Sequence, residues 1–177
     1  MGLGGAVPTV GPARAGVVRK SQEPHLLRVA AAALRPTLDL VIDTNVVLDW
    51  LAFRHPVGAP LEEALTWGQC RWLCTRAMRN ELAHVVARES LERWAIDADA
   101  VLAVFDALGL DVGTPPLLCA AERLRCSDPD DQQFIDLAIA RRVHALLTRD
   151  RAVLRLASRA RGFGVLIATP EVWLRRR

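Results

Sequence analysis

The sequence contains no apolar run of about 18 or more residues, the length that one helix needs to cross a bilayer. We therefore expect a soluble, cytoplasmic protein without membrane association. Lysine is almost missing too: Lys20 is the only one, so arginine carries nearly all of the positive charge behind the net charge of +3. A GC-rich genome explains such a bias, and arginine also suits bidentate contacts with phosphate. The composition is thus compatible with a nucleic-acid partner without requiring one.

Cysteine is scarce and does not have the spacing of a metal site. None of the cysteines forms a C-x-x-C pair, and no histidine stands at the distance usual for a zinc site. We therefore predict buried free thiols in a reducing cytosol rather than structural zinc. These cysteines are Cys70, Cys74, Cys119 and Cys126.

The chain does contain enough apolar material for one folded domain. Of its 177 residues 51% are hydrophobic, and the mean hydropathy is +0.17, which supports a full core and argues against global disorder. Residues 1–36 begin with a stretch rich in glycine, alanine and proline that shows no periodicity, so we predict a flexible N-terminal extension there. Residues 37–177 are predicted to form the single domain.

From residue 37 onward, strand-like and helix-like segments alternate. Short apolar runs at 38–43, 71–75, 144–148 and 165–169 predict strands, and the segments between and after them predict helices. One helix is predicted to run without a break from Asp150 through Arg161. This alternation predicts an α/β fold with a parallel sheet flanked by helices.

Acidic residues follow two of the predicted strands. Asp43 ends the first strand, and Asp150 follows the strand at 144–148 by two residues. Ligands of parallel α/β sheets bind at the carboxyl ends of the strands, so we expect both acids at the same rim. Taken singly, each acid is equally well explained as a helix cap.

Helices are predicted to bring further acids to this rim. Glu81 borders the apolar face of the helix after the second strand, near its start. Asp131 lies three residues before Phe134, so it is predicted to project inward at the start of its helix, whereas Gln133 is predicted to face outward. Asp128, at the cap of that helix, is expected close to Asp131.

Carboxylates that meet without counter-charges repel one another and raise one another's pKa. Divalent cations resolve this conflict, and hard oxygen ligands suit Mg²⁺ or Mn²⁺. Such a cluster can activate a water for the hydrolysis of a phosphodiester. The acids in question are Asp43, Glu81, Asp131 and Asp150.

Four segments together resemble the PIN-domain nucleases, close to the toxin components of toxin–antitoxin pairs. The matching segments span about residues 38–174 and read VIDTNVVLDWL, RNELAHVV, SDPDDQQFIDLAIARRVHALLTRDRAVL and VLIATPEVWL. The resemblance implies a three-layer α/β/α sandwich with a mostly parallel central sheet. It also implies cleavage of RNA with Mg²⁺ or Mn²⁺. The extension at residues 1–36 departs from the family pattern.

The resemblance carries roles over to particular residues. Asp43, Glu81, Asp131 and Asp150 match the catalytic, metal-binding acids of the family, and Asp128 matches a further acid that we hold as a reserve metal ligand. Asn45 and Thr148 match its accessory polar positions. Arg149, Arg151 and Arg155 are candidates for contact with RNA or with a cognate antitoxin protein. A homodimer is expected by family analogy alone.

Other functions share parts of this pattern. A catalytically inactive PIN scaffold that binds RNA or a protein partner is the main alternative, and the complete set of acids argues against it. A phosphotransfer domain of the receiver or haloacid-dehalogenase type also places an Asp at the end of its first strand. The second of these needs another Asp where this chain has Asn45, and both need a late lysine that Lys20 cannot supply.

Overall fold

The computed structural model describes Met1, residues 36–88 and residues 96–176. Apart from Met1 and Pro36, the predicted N-terminal extension at residues 1–36 lies outside the described residues. The predicted division of the chain at residue 37 therefore stays a prediction.

A parallel sheet forms the centre of the fold. Its strands have the spatial order β3-β2-β1-β4-β5, and every pair of neighbours is parallel. The strands are β1 (Leu38–Ile42), β2 (Cys70–Cys74), β3 (Gly109–Asp111), β4 (Ala145–Leu147) and β5 (Leu166–Ala168). The predicted parallel α/β arrangement is thereby confirmed.

Helices connect the strands. In chain order the described helices are α1 (Thr44–Val47), which continues as a π-helical turn (Leu48–Ala52), α2 (Gly58–Thr66), α3 (Arg76–Val86), α4 (Ala98–Leu108), α5 (Gln132–Ala140), α6 (Arg151–Leu154), α7 (Ala157–Ala160) and α8 (Pro170–Arg176). From β1 the chain moves outward to β2 and β3, then returns to β4 on the other side of β1 and ends at β5. Right-handed crossovers in opposite directions place helices on opposite faces of the sheet, which gives three layers.

This order puts the topological switch point between β1 and β4. The two strands are neighbours, with Leu40 opposite Ala145 and Ile42 opposite Leu147. All of β4 and the second half of β1 are buried, as expected for central strands covered on both faces. In open α/β sheets a ligand binds outside the carboxyl ends of the strands at such a point.

Strand β3 was not predicted from the sequence. It has only three residues, two of them exposed, and therefore shows no hydrophobic period. Its ladder pairs Trp72 with Gly109 and is extended by the bond from the Val112 amide to the Cys74 carbonyl at 3.0 Å. Pairing with β2 thus defines the strand.

The helix predicted from Asp150 through Arg161 is not continuous, and that prediction was wrong in this respect. The segment divides into α6, α7 and a 3₁₀ turn (Arg161–Phe163). At the break the Leu156 amide bonds the Val153 carbonyl, three residues back, at 2.9 Å, and the Leu156 side chain is buried. Arg151 and Arg155 are exposed and lie before the break, one turn apart, since the Arg155 amide bonds the Arg151 carbonyl at 3.1 Å.

The last two predictions to compare with the structure concern the burial of the cysteines and membrane-spanning helices. The four cysteines, all within the described ranges, form no disulfide. Only Cys70 and Cys74 are buried; Cys126 is intermediate and Cys119 is exposed, contrary to the prediction of burial. Cys119 follows a proline-rich loop rather than lying in an apolar strand. None of the helices in the described ranges combines the length and apolarity needed to cross a membrane.

Candidate metal centre

Asp43 lies where β1 ends and α1 begins, and it is 2% exposed. Its Oδ1 accepts a bond from the Asn45 amide nitrogen at 3.4 Å, so the carboxylate also caps α1. Its Oδ2 accepts from Asn45 Nδ2 at 2.7 Å and from Thr148 Oγ1 at 2.5 Å. Burial raises the pKa of Asp43, the bonds from Thr148 and Asn45 oppose this shift, and the Asp150 carboxylate adds to it.

Thr148 connects the ends of the two central strands. It is fully buried directly after β4, where its hydroxyl donates to Asp43 and accepts a bond from the Asp150 amide at 2.9 Å. Asp150 in turn caps α6: its Oδ1 accepts from the Ala152 amide at 2.5 Å and from the Val153 amide at 3.2 Å. Among the hydrogen bonds found in the described chain, Oδ2 of Asp150 accepts none, so this oxygen is available to a ligand.

Asn45 is held in one orientation. Its side-chain oxygen accepts from the Arg149 amide at 3.1 Å, which directs its side-chain nitrogen to Asp43. Both predicted accessory residues, Asn45 and Thr148, therefore contact the same carboxylate. They join β1 and β4 at the switch point.

Glu81 reaches the same region from α3 and is partly buried. Burial raises its pKa, a hydrogen bond with Thr44 opposes the shift, and the Asp43 and Asp130 carboxylates add to it. The Gln133 side-chain amide donates to Glu81. Gln133 was predicted to face outward, and this prediction was wrong: it lies one helical turn before the buried Leu137, and its long side chain spans the gap to α3.

Asp131 lies at the point where the acids meet. Burial and the carboxylates of four other acids raise its pKa to about 7; in decreasing order of effect these acids are Asp43, Asp150, Asp128 and Glu81. The structure thus brings together all of the acids that the sequence singled out. Asp128 is the most exposed of them and accepts a bond from the Asp130 amide at 3.0 Å. Their catalytic and metal-binding roles stay predictions.

The carboxylates at this rim are of the chemical type that binds a hard divalent cation. Carboxylate oxygens are the preferred ligands of Mg²⁺ and Mn²⁺. Burial, followed by the neighbouring carboxylates, raises the pKa of Asp131. The side chains do not converge on one point: within residues 36–88 and 96–176, no three acidic, imidazole or thiol groups stand together as a complete metal-binding group. Mg²⁺ is usually bound by one or two carboxylates and keeps several waters, so three protein ligands at one point are not required.

Arg149, directly after Thr148, is part of the structure of this rim. Its guanidinium donates to Asp49 in the turn after α1 and to Glu171 in α8. Although partial burial acts in the opposite direction, the bonds from Arg149 lower the pKa of Glu171 to about 2. Arg149 thus already pairs with two acids. Its predicted contact with RNA or an antitoxin stays a prediction.

Sequence reasoning missed two of these contributors. Nothing in the local pattern separates Gln133 from its neighbour Gln132, which bonds the Leu124 carbonyl and the Cys126 amide instead. Glu171 carries a weak signal, since it is an acid in the first turn of a helix that follows a strand. Neither contact follows from spacing alone, because each joins segments that are far apart in the chain.

The fold and the rim define a class: a three-layer α/β protein with an acidic site at the switch point of a parallel sheet. The family model described as PIN domain matches residues 39–152, and the chain belongs to this family. The matched range contains Asp43, Glu81, Asp131 and Asp150. PIN domains are generally nucleases, so the chain has a nuclease fold. Neither the curated proteins nor the solved structures contain a match.

Proposed function

We propose that the protein is a metal-dependent endoribonuclease and the toxin of a toxin–antitoxin pair. One observation carries the nuclease proposal: Asp131 lies within the electrostatic influence of four other carboxylates at the switch point of the sheet. Such a concentration of charge destabilises the folded chain unless a cation offsets it. In a nuclease that binds a divalent cation between these carboxylates, the same negative charge serves to hold the catalytic metal.

In this proposal Asp43, Glu81, Asp131 and Asp150 hold Mg²⁺ or Mn²⁺, with Asp128 as a further ligand. A divalent cation, when bound, generates a nucleophilic water and offsets the charge that develops on a phosphodiester. The remaining residues keep the ligands in place. Asn45 and Thr148 orient the Asp43 carboxylate, and Gln133 orients Glu81.

The four sequence segments that resemble toxin nucleases support the proposal that the substrate is RNA and that the protein is a toxin. The exposed Arg151 and Arg155 lie just beyond Asp150, where they are available to phosphate or to an acidic segment of an antitoxin. A homodimer acting in the cytoplasm belongs to the same proposal. Size measurement of the purified chain, alone and co-expressed with a candidate antitoxin, tests both the dimer and the partner.

The activity is tested with purified protein, Mn²⁺ and single-stranded RNA. Asp43→Asn keeps the size of the side chain but removes the charge, and we expect cleavage to fall by more than about 100-fold. Asp39→Asn is the matched control, since Asp39 lies at the other end of β1 and pairs with Arg71 on the surface. Cleavage that survives Asp43→Asn but not removal of Mn²⁺ would place the metal elsewhere and overturn this assignment.

A catalytically inactive PIN scaffold is the second candidate. The observation that favours it is that no complete metal-binding group is formed among the described residues. Calorimetric titration with Mn²⁺ separates the two candidates. Binding that disappears in Asp43→Asn supports the enzyme, whereas retention of RNA without any Mn²⁺ binding supports the scaffold.

A further inference from the structure

A cavity of about 510 Å³ lies directly beside the acidic cluster. The cluster occupies the carboxyl ends of β1 and β4, and the cavity occupies those of β2 and β3, with Thr75 and Asp111 in its lining. Gln133 belongs to both, because it lines the cavity and donates to Glu81. A polymer whose phosphodiester reaches the acids can therefore place a neighbouring nucleotide at this cavity.

The loop that forms the outer wall is anchored where it leaves β3. It follows β3, and its first residue, Val112, continues the ladder with Cys74. The Arg141 guanidinium donates to the Val112 carbonyl at 2.7 Å, and the Gly113 amide donates to Asp111 Oδ1 at 2.9 Å. The start of the loop is thus fixed to β2 and to the end of α5.

The lining combines apolar residues of the loop after β3 with polar residues of α5. Pro115, Pro116 and Leu118 form part of the apolar wall, while Gln133 and Asp136 lie on the side of α5. A planar heterocycle with hydrogen-bonding edges matches this combination, and the volume lies in the range of small-ligand pockets.

The side chains of Arg76 and Arg123 line the same cavity and bring positive charge to it. Arg76 is exposed in the first turn of α3 and takes part in none of the ion pairs found among the described residues. Arg123 pairs with Asp136 on the opposite side, in a surface contact of 3.3 Å that costs little to exchange. Both are suited to the phosphates that flank a bound nucleotide.

We propose that this cavity is a subsite for one nucleobase of a single-stranded RNA, next to the phosphodiester that is cleaved. The inference rests on the proposed nuclease function and adds a determinant of sequence preference to it. Its occupant follows from the continuity with the acidic cluster, the proline-containing wall and the exposed Arg76, which is in none of the ion pairs found among the described residues. The nucleobase packs against Pro115 and Pro116, and its edge faces Gln133 and Asp136.

The test fills the cavity without touching the acids. Ala77 lines the cavity as the second residue of α3 and is exposed, so Ala77→Phe adds bulk there without removing a packed side chain. Ala59→Phe is the matched control, since Ala59 is the exposed second residue of α2 and does not line this cavity. Thr114→Phe fills the cavity from the loop side and replaces Ala77→Phe if that variant does not fold.

The probe is a short RNA that the wild type cleaves with Mn²⁺, together with versions in which each nucleotide flanking the cleaved bond is made abasic. At one flanking position we expect the abasic change to slow the wild type by at least about tenfold. Ala77→Phe should bring this ratio close to one, and Ala59→Phe should keep it. Because the readout is a ratio of two substrates on the same protein, partial loss of folded enzyme does not alter it.

The possible failures are distinguishable. If the wild type cleaves no RNA with Mn²⁺, the nuclease proposal fails, and the subsite fails with it. If cleavage occurs but no abasic position matters, or if Ala77→Phe keeps the wild-type ratio, the subsite alone is overturned. An unchanged ratio accompanied by loss of a bound protein partner would assign the cavity to that partner instead.

Discussion

The hydroxyl of Thr148 donates to Oδ2 of Asp43 at 2.5 Å and thereby joins two residues that are 105 positions apart. It does so at the topological switch point, where each residue directly follows one of the two central strands. Because the same hydroxyl also accepts the Asp150 amide, one buried group orients two of the acids. The geometry of the rim is therefore sensitive to this single side chain.

Thr148→Val tests this link with a side chain of the same shape. It removes the donor to Asp43 and the acceptor of the Asp150 amide, and leaving such buried groups unsatisfied costs about 1–3 kcal/mol of unfolding free energy. We also expect cleavage to fall by about 10- to 100-fold, as for other residues that orient metal ligands. Urea denaturation and RNA cleavage measure the two effects. Thr66→Val, at the exposed end of α2, is the control and should change neither.

Asp131 predicts a dependence of stability on pH in the metal-free protein. Its pKa is about 7 in the folded chain against an ordinary value of 3.8, so between these values the folded state binds more protons than the unfolded state. The contribution of Asp131 to stability therefore falls as pH rises from about 4 to about 7. Asp131→Asn removes this fall and should make the metal-free protein more stable than the wild type at pH 8, while abolishing cleavage.

Urea denaturation at pH 5 and pH 8 in the presence of a chelator measures this difference. Asp99→Asn, an exposed change in the first turn of α4, serves as the control and should follow the wild type at both values. An Asp131→Asn protein that is less stable than the wild type at pH 8 would show that this carboxylate is not repelled by its neighbours.

Added Mn²⁺ should restore the stability that the metal-free protein loses at high pH through the ionised Asp131. A cation that binds only the folded state raises its stability by about 2.7 kcal/mol at a free concentration 100 times the dissociation constant. Protons compete for the same carboxylates, so the rise in melting temperature should be larger at pH 8 than at pH 5. Asp43→Asn should abolish the rise, whereas an equal rise in that variant would indicate binding outside the acidic cluster.

The contact between Arg149 and Glu171 predicts a loss of stability in acid. The pKa of Glu171 is about 2, below its ordinary value of 4.5, so its contribution is present above about pH 4.5 and is lost as pH falls toward 2. Glu171→Gln should therefore cost about 1 kcal/mol at pH 7 and less at pH 3. Chemical denaturation at both values measures this cost, and Glu63→Gln, at an exposed position of α2, is the control. An equal cost at both values would show that the charge is not responsible.

The strand ends were predictable from the sequence because their signals are local. An apolar run that stops at Asp43, and another that is followed by Asp150, end at the same edge of the sheet as soon as the sheet is parallel. Strand β3 was not predictable in this way, since three mostly exposed residues carry no period and depend on pairing with β2. The break before α7 was missed for a similar reason: burial of Leu156, a tertiary contact, accompanies the tighter turn.

The sequence by itself determined the α/β class through its hydrophobic periods, and it indicated the family through segments that resemble PIN-domain nucleases. It also named the acids that we propose as metal ligands. Only the tertiary structure decided how the acids are supported. Gln133 meets Glu81, and Arg149 meets Glu171, across separations of 52 and 22 residues. Only the tertiary structure placed a cavity beside the acids. Contacts of this kind depend on how helices pack onto the sheet, and neither the period nor the propensity of a single segment encodes that.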